Sequence, residues 1–277
     1  MSISVTTLVD NTVSVGKGHI GEHGLCFFID TGDRKILFDT GQKSALENNA
    51  AVMGINLSKI DTVILSHGHY DHAGGLPSLI NHTTEFTLLG HPDIFDDKRA
   101  RIADNFFPIG SPMGKKELTE KGIKIQLSAE PVHITEQIMT SGTVPMTTDF
   151  ESIEPMFYIQ KEEKLSPDQL EDDLSLILDT KEGIVLLLGC AHRGLVNILR
   201  HVDKLTSGKK IHAIMGGLHL ANATDEKMDN IINILREYDI DKIGVSHCTG
   251  PKASAVFFRE FPDKVFMNSV ANTMSFS

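Results

Sequence analysis

The segment Ser66-His67-Gly68-His69-Tyr70-Asp71-His72-Ala73-Gly74-Gly75-Leu76 decides the fold and the chemistry of this chain. It follows Ile60 to Leu65, a short apolar run with β-branched residues that is typical of a buried strand. The segment holds three imidazoles and one carboxylate within six positions. Since α/β proteins place ligand sites just past the carboxyl ends of strands, this pattern predicts a metal site there. The competing interpretation is a polar surface loop that is merely rich in histidine, and four ligand-type residues at this spacing argue against it.

The residue types indicate which ions such a site takes. Imidazole nitrogen and carboxylate oxygen suit zinc, iron or manganese. Because a loop lets alternate residues point to different sides, we expect His67 and His69 to hold one ion and Asp71 and His72 to hold a second. Asp71 is also a candidate catalytic base, although metal ligation reduces the basicity of a carboxylate.

The rest of the chain predicts a sandwich of two similar halves. Strand-like runs and helical segments alternate on both sides of a long irregular stretch. This alternation is typical of a sheet covered by helices. The hairpin at 29–38 matches the one at 178–187. We therefore expect a four-layer αβ/βα sandwich, an α/β fold that forms a single domain over residues 1–277. The stretch from about 96 to 172 contains many prolines and glycines, so we expect loops, a short helix and hairpins inserted over the core.

Composition excludes several classes of partner. The 277 residues include 26 Lys plus Arg and 37 Asp plus Glu, which gives a net charge of −11. This charge repels polyanions, so nucleic acid is not an expected partner. Three cysteines cannot form a disulfide framework, no signal-peptide pattern is visible, and no apolar stretch approaches a membrane-spanning helix. We expect a cytoplasmic protein that binds a small molecule and no membrane.

Three segments of the second half place further ligand-type residues after strand-like runs. Ile184 to Leu188 leads into Gly189-Cys190-Ala191-His192-Arg193-Gly194, and Lys242 to Ser246 leads into His247-Cys248-Thr249-Gly250. In the third segment, Gly217-Leu218-His219-Leu220, His219 is a candidate metal ligand, general acid or substrate contact. Since catalytic zinc sites take about three protein ligands each, we expect the ligands that the first loop lacks to come from these segments.

The order His67-x-His69-x-Asp71-His72 after an apolar strand resembles the signature of the metallo-β-lactamase superfamily. Leu37-Phe38-Asp39-Thr40-Gly41 is similar to the first motif of that superfamily, which implies that Asp39 orients the metal loop by hydrogen bonding. The alternative role of Asp39 is an ordinary cap of the helix that starts near Lys43. The resemblance further implies His192 as the third ligand of the first ion and His247 as a ligand of the second.

The ligand that bridges the two ions is in doubt in this chain. The fourth motif of the superfamily usually offers an Asp after a Gly, whereas the corresponding place here reads Gly189-Cys190-Ala191-His192. Asp172 and Asp173 are weak substitutes. We expect Cys190 and Cys248 to be small buried hydrophobes, as most free cysteines are. One ion is then held more weakly than in relatives that have the bridge.

Five shorter sequence motifs restrict the resemblance to one branch of the superfamily. They are Leu8-Val9-Asp10-Asn11, Glu22-His23-Gly24-Leu25, Gly189 to Gly194, Gly217 to Leu220 and Ser246 to Gly250. Together they look like the branch of metal-dependent hydrolases of β-lactamase superfamily II, which includes a methanopterin-pathway synthase that joins a dihydropterin diphosphate to a ribofuranosylaminobenzene phosphate. The branch implies a hydrolase or a diphosphate-displacing transferase that acts on a phosphorylated or pterin-like small molecule. It implies two divalent ions, with Zn expected and Fe or Mn as alternatives.

The expected substrate contacts are Glu22 and His23 from the first hairpin and Arg193 beside His192. Four cations of the 96–172 stretch are further candidates for phosphate recognition, although each is more typical of solvated surface: Arg99, Arg101, Lys115 and Lys116. Two alternatives remain open on the same fold, an iron-containing redox protein and a ligand-sensing binding protein. A binding protein would more readily have lost Asp71 or His72, and both are present.

Overall fold

A computed structural model describes residues 2–14 and 16–277 of the chain. In chain order the strands are β1 (Ile3–Val9), β2 (Cys26–Asp30), β3 (Lys35–Phe38), β4 (Thr62–Ile64), β5 (Thr87–Gly90), β6 (Asp97–Ile102), β7 (Asn105–Pro108), β8 (Lys124–Leu127), β9 (Ile138–Thr140), β10 (Phe157–Lys161), β11 (Lys164–Pro167), β12 (Ser175–Thr180), β13 (Gly183–Leu188), β14 (Ile211–Gly217), β15 (Lys242–Ser246), β16 (Val265–Met267) and β17 (Thr273–Phe276). The helices are α1 (Ala45–Met53), α2 (Tyr70–Ala73), α3 (Leu76–Leu79), α4 (Lys115–Glu120), α5 (Leu195–Leu205), α6 (Asp225–Glu237) and α7 (Pro251–Glu260).

Two large sheets repeat one arrangement. The first has the order β17-β1-β2-β3-β4-β5-β8, and the second has the order β16-β15-β14-β13-β12-β9. In each sheet an antiparallel hairpin, β2–β3 or β12–β13, is followed by strands that pair in parallel, β4 and β5 or β14 and β15. The two hairpins matched in the sequence therefore occupy equivalent places in the two halves.

The buried side chains form three apolar layers. One layer lies between the two sheets and includes Phe27, Phe38 and Leu187. A second packs α1 and α3 on the outer face of the first sheet, and a third packs α5, α6 and α7 on the outer face of the second. The spacing of apolar residues explains why these helices pack against the sheets. In α5, for example, Leu195, Ile198, Leu199 and Val202 lie along one face of the helix and are buried. The fold is the expected four-layer αβ/βα sandwich.

The 96–172 stretch has more regular structure than the sequence suggested. Strands β6, β7, β10 and β11 form a small third sheet, which we call the lid sheet, in the order β11-β10-β6-β7. The same stretch also supplies β8 and β9, which are edge strands of the first and second large sheets. These two strands are three or four residues long and pair with distant β5 and β12, so no local pattern reveals them. Among the described residues, no helix combines the length and apolar character needed to cross a membrane.

Candidate metal centre

The expected ligand residues meet where strands of both large sheets end. Asp39 follows β3, the His67–His72 loop lies beyond β4, and His192, His219 and His247 come from the segments after β13, β14 and β15. Four residues at these ends have positive φ: Asp39 (63°), Ala191 (56°), His219 (49°) and His247 (49°). Residues other than glycine rarely adopt this conformation, and it clusters at functional sites, where the surrounding structure holds it.

The first group of donors is a triad of histidines. His67 Nε2 lies 3.0 Å from His69 Nδ1 and 3.2 Å from His192 Nε2. Burial lowers the pKa of all three imidazoles well below the usual range, which keeps them neutral with lone pairs free to bind a metal. Zinc–nitrogen bonds of about 2.0–2.1 Å in a tetrahedron separate the nitrogens by about 3.3 Å. The triad therefore fits a divalent transition metal.

The second group combines a carboxylate with two histidines. His72 Nε2 lies 3.2 Å from His247 Nε2, and Asp71 Oδ2 lies 3.4 Å from His247 Nε2 and 3.8 Å from His72 Nε2. His23 Nε2, from the segment before β2, is 3.1 Å from the same carboxylate oxygen. Nitrogen and oxygen donors of this kind again suit zinc, iron or manganese. The two groups lie side by side, since the His67 and His72 ring centroids are 4.2 Å apart.

Hydrogen bonds to the far side of the imidazoles fix their orientation. Asp39 Oδ2 lies 2.7 Å from His72 Nδ1 and accepts the hydroxyl of Ser66, whose Oγ is 2.8 Å from His67 Nδ1. Asn11 Oδ1 is 2.9 Å from His247 Nδ1. Such partners set ring orientation and strengthen a histidine as a ligand. Burial lowers the pKa of His72, but the neighbouring Asp39 and Asp71 carboxylates outweigh it and raise that pKa to about 9.

From the sequence alone, Asn11 had no assigned role as a hydrogen-bond partner of a metal-binding histidine, although it belongs to the short motif Leu8-Val9-Asp10-Asn11. The neighbouring Asp10 Oδ1 accepts the backbone N–H of His247 at 2.8 Å. Their position in the sequence could have indicated a role at the site, because Asp10 and Asn11 directly follow the buried strand β1. Their partner His247 is more than two hundred residues away in the chain, which hides the pairing from local patterns.

A buried ion triad connects the lid sheet to the His67–His72 loop. Lys98 Nζ on β6 lies 2.8 Å from Asp168 Oδ2 and 2.9 Å from Asp172 Oδ1. The second oxygen of Asp172 accepts the backbone N–H of Gly68, between His67 and His69. Asp173, the other weak substitute for a bridging ligand, accepts the backbone N–H of Arg193 instead. Asp172 is therefore engaged outside the two donor groups, whereas Asp173 binds Arg193 through one oxygen and its Oδ1 is buried without a hydrogen-bond partner in the described part of the chain.

The lid sheet and the donors enclose a cavity of about 260 Å³. One wall is apolar and is formed by Ala100, Ile102, Ile109, Met156 and Phe157. The opposite wall carries four of the six donor side chains, together with five neighbouring residues. The donors are His69, Asp71, His192 and His247, and the neighbours are His23, Tyr70, Cys190, His219 and Cys248. Among the described residues, no lysine or arginine lines this cavity. The expected phosphate-binding cations therefore do not reach it.

Of the three expected substrate contacts, only His23 reaches the cavity. His23 lines the cavity, whereas the Glu22 carboxylate accepts the backbone N–H groups of Gln42, Lys43 and Ala45 near the start of α1. Arg193 is buried, and its guanidinium donates to the carbonyl oxygens of Val144 and Gln169. The structure therefore gives Glu22 and Arg193 positions outside the cavity wall, where they brace loops. Arg99 pairs with Asp97, and Arg101 lies nearest to Asp104.

His219 belongs to the cavity wall and pairs with Glu154, an acid that could not be assigned to the site from the sequence. Its Nε2 lies 3.4 Å from Glu154 Oε2, and its ring centroid is 4.2 Å from that of His192. Burial lowers the pKa of His219, but hydrogen bonds to Cys248 and Glu154 outweigh it and raise that pKa to about 10. Glu154 lies in the irregular 96–172 stretch, where no motif marks it. The pair can hold and move a proton at the cavity edge.

Comparisons with known proteins agree with this geometry. The sequence profile of the Metallo-beta-lactamase superfamily matches residues 20–144. The chain is 31% identical to 7,8-dihydropterin-6-methyl-4-(beta-D-ribofuranosyl)-aminobenzene-5'-phosphate synthase of Methanocaldococcus jannaschii, over 95% of this chain and 92% of the synthase. A second protein of that organism, whose name assigns no function, is 34% identical over 90% of this chain and 91% of its own.

A solved structure is also similar over nearly the whole length. The crystal structure of Tm1679, a metal-dependent hydrolase of the beta-lactamase superfamily, superimposes with a TM-score of 0.84 at 26% identity. The match covers 98% of each chain. With its fold, its histidine motif and these relatives, the chain belongs to the metallo-β-lactamase superfamily, in the branch that contains the Methanocaldococcus synthase.

Proposed function

We propose that this protein is a metal-dependent enzyme that displaces diphosphate from a pterin-like small molecule, using two divalent metal ions. One observation carries the proposal: donors of both triads, His69 and His192 of the first and Asp71 and His247 of the second, line a single cavity whose other wall is apolar and carries an aromatic ring. The near full-length similarity to a pterin-pathway synthase supports the choice of substrate class.

The residues available for metal binding divide into two sets. His67, His69 and His192 would hold the first ion. Asp71, His72 and His247 would hold the second, since their donor atoms lie 3.2–3.8 Å apart. When bound, a pair of divalent ions neutralises a departing diphosphate and, in a hydrolase, lowers the pKa of a bound water. Zn is the expected ion because nitrogen and oxygen donors suit it, and Fe and Mn are the alternatives.

The apolar wall suits a flat heteroaromatic ring. The Phe157 ring centroid lies 5.2 Å from that of His69 and 5.1 Å from that of His192, so a ring bound against Phe157 would lie beside the first triad. Since no lysine or arginine is among the described residues of this wall, the anionic end of a substrate has no side-chain cation to bind there. It would therefore face the metal side of the cavity.

His219 and Glu154 provide the proton that the departing diphosphate takes up. In transfer, the acceptor nitrogen forms a bond to the methylene carbon of the pterin, the carbon–oxygen bond to diphosphate breaks, and the nitrogen loses a proton. A histidine whose pKa is raised by a neighbouring carboxylate carries a proton at neutral pH, so it can donate that proton to the departing diphosphate and then take the proton that the acceptor nitrogen loses. We assign His219 this catalytic role, and we retain Asp71 as a metal-binding carboxylate that holds His23.

Hydrolysis is the second candidate function. The solved relative at 26% identity is described as a hydrolase, and the same metal pair serves both reactions. The two differ in whether an acceptor molecule or water reaches the electrophilic carbon or phosphorus. The open, apolar side of the cavity favours an organic acceptor over water.

The test is a product assay on zinc-reconstituted protein. The enzyme is incubated with a 6-hydroxymethyl-7,8-dihydropterin diphosphate, with and without a ribofuranosylaminobenzene phosphate, and diphosphate release and the coupled product are measured. Transfer requires acceptor-dependent diphosphate release with one coupled product per diphosphate. Release at the same rate without acceptor would support hydrolysis instead. Loss of both reactions, alongside tight binding of the pterin, would favour a ligand-sensing protein.

A further inference from the structure

Cys190 occupies an unusual position between the two donor triads. Its Sγ lies 3.1 Å from His72 Nε2 of the second triad. The same sulfur, His67 of the first triad and His72 of the second have donor atoms that all lie within 4.8 Å of one another. Cys190 also groups within this distance with His192 and His219, and separately with His247 and Cys248. The sulfur is therefore close to donors of both candidate metal sites.

The backbone holds this thiol in place. A Cβ atom on the preceding Gly189 would lie 2.1 Å from Ser66 Oγ, so only glycine allows β13 to approach the His67–His72 loop this closely. The following Ala191 has a φ of 56°, and the turn it makes brings His192 to the first triad directly after Cys190. Cys190 is buried, and it has no disulfide partner. Its position thus follows from the strand end rather than from a mobile side chain.

We propose that the thiolate of Cys190 is a ligand shared by both metal ions, in place of the carboxylate that this chain lacks. The proposal rests on the dinuclear centre of the proposed function. On metal binding the thiol gives its proton to solvent, and the sulfur forms one bond to each ion. Each ion then has three donors of its own and one in common. The expectation that Cys190 is only a small buried hydrophobe is replaced by this role.

A shared thiolate has consequences for the choice of metal. Sulfur is a softer ligand than oxygen, so it favours zinc, cobalt or ferrous iron over manganese and magnesium. Relatives with a carboxylate at this place lack that bias. The chain should therefore discriminate against manganese, and replacement of Cys190 by aspartate should relax the discrimination.

Cobalt is the probe, because a cobalt–thiolate bond absorbs in the near ultraviolet whereas cobalt bound to histidine and carboxylate does not. Metal-free protein is titrated with Co²⁺ while absorption and bound metal per chain are measured. We expect two ions per chain and a charge-transfer band that grows during the binding of both. C190D should keep two ions and lose the band, and it should bind Mn²⁺ at least tenfold more tightly than wild type does.

Two matched control variants test whether Cys190, and not another cysteine, gives the cobalt–thiolate band. Cys26 is fully buried in another part of the core, so C26A should keep the band unchanged. C248S should keep it as well, because the Cys248 sulfur accepts the backbone N–H of His219 and groups with Cys190 and His247 alone. A band that persists in C190D and disappears in C248S would overturn the proposal.

The remaining outcomes separate this proposal from the proposed function. Two bound ions without a thiolate band would reject the shared sulfur and leave the dinuclear centre intact. A band that grows with only one of the two ions would reject sharing and leave Cys190 as a ligand of that ion. Binding of fewer than two ions by wild type would reject the dinuclear centre itself, independently of any turnover assay.

Discussion

Lys98 Nζ lies 2.9 Å from Asp172 Oδ1, and the other oxygen of that carboxylate accepts the Gly68 backbone N–H at 2.8 Å. Lys98 is fully buried on β6, the strand whose Ala100 and Ile102 line the cavity. Alternate residues of a strand share a face, so one face of β6 contacts both the cavity and the ion triad. The lid sheet and the metal-binding loop are therefore joined through this charged side chain, in addition to the backbone hydrogen bond from Tyr70 to Ile109 just after β7.

Replacement of Lys98 by methionine should destabilise the protein and weaken the first metal site. It leaves the buried Asp168 and Asp172 without their counter-ion, and breaking a buried pair costs about 3–5 kcal/mol. The Gly68 amide loses its fixed partner, and loss of such outer contacts lowers metal affinity about 10–100-fold. Urea unfolding of metal-free protein and competition with a chromophoric chelator measure the two effects.

The matched control for Lys98 is Lys161→Met, which removes an exposed ion pair with Asp96 from the same lid sheet. Surface pairs contribute about 1 kcal/mol or less, so stability and metal affinity should stay close to wild type. If Lys98→Met lowered stability but left the affinity of the first site unchanged, Lys98 would support the fold without positioning the loop.

The pH dependence of stability should carry a contribution from Glu151. Its carboxylate accepts the backbone N–H groups of Val196 and Asn197 at the start of α5, and burial raises its pKa above the usual value. The folded protein then binds this proton more tightly than the unfolded chain does. The contribution is present below pH 4.5, the usual pKa of a glutamate, and is lost as the pH rises through the raised pKa of the folded state.

Glu151→Gln should therefore remove this part of the pH profile. The free energy of unfolding, measured in urea on metal-free protein at pH 4 to 7, should fall less steeply with pH in the variant than in wild type. Parallel profiles for the two proteins would show that Glu151 titrates normally. Glu130→Gln on an exposed turn serves as the control and should leave the profile unchanged.

The sequence predicted those parts of the fold that depend on local patterns. The apolar runs before His67, His192 and His247 identified three strands, and the polar residues after them indicated the candidate donors that the fold brings together. The parts it missed depend on contacts between distant segments. Glu154, for example, is an ordinary acid in an irregular stretch until the fold brings it to His219.

Nothing in the sequence indicated that Cys190 is a candidate donor, for a different physical reason. A free cysteine in an apolar sequence is usually a small hydrophobe, so its residue type alone gave no reason to expect a donor. The relevant fact is the approach of β13 to the His67–His72 loop, which Gly189 permits. Close backbone approach is a property of two strands, and neither strand reveals it in isolation.

Phe157→Ala should weaken substrate binding with little effect on metal binding. The ring is the aromatic part of the apolar cavity wall, and stacking of a base on an aromatic side chain is worth about 1–3 kcal/mol. We expect the KM for a dihydropterin substrate to rise about tenfold or more. Phe107→Ala, on the neighbouring strand β7, removes an exposed ring outside the cavity and should leave the KM unchanged. Equal KM values for all three proteins would contradict a pterin-like ring at this wall.

His219→Gln should lower kcat while both metal ions stay bound. Loss of a general acid costs about 10²–10⁴ in rate, and glutamine keeps much of the volume of the side chain. Glu154→Gln should have a smaller effect, because the imidazole remains and only its partner changes. Elemental analysis together with the product assay distinguishes the roles. Fewer than two ions per chain in His219→Gln would instead make His219 a metal ligand.

His192→Ala and His247→Ala should each empty a different metal site. His192 completes the first triad with His67 and His69. His247 completes the second with Asp71 and His72. Removing one of three donors should leave a single tightly bound ion per chain, which titration with a chromophoric chelator measures. His82→Ala is the control, because that exposed histidine pairs with Glu47 far from the cavity. Two ions held at wild-type affinity in both site variants would refute the assignment. Complete loss of metal in either one would mean that the two sites bind only together.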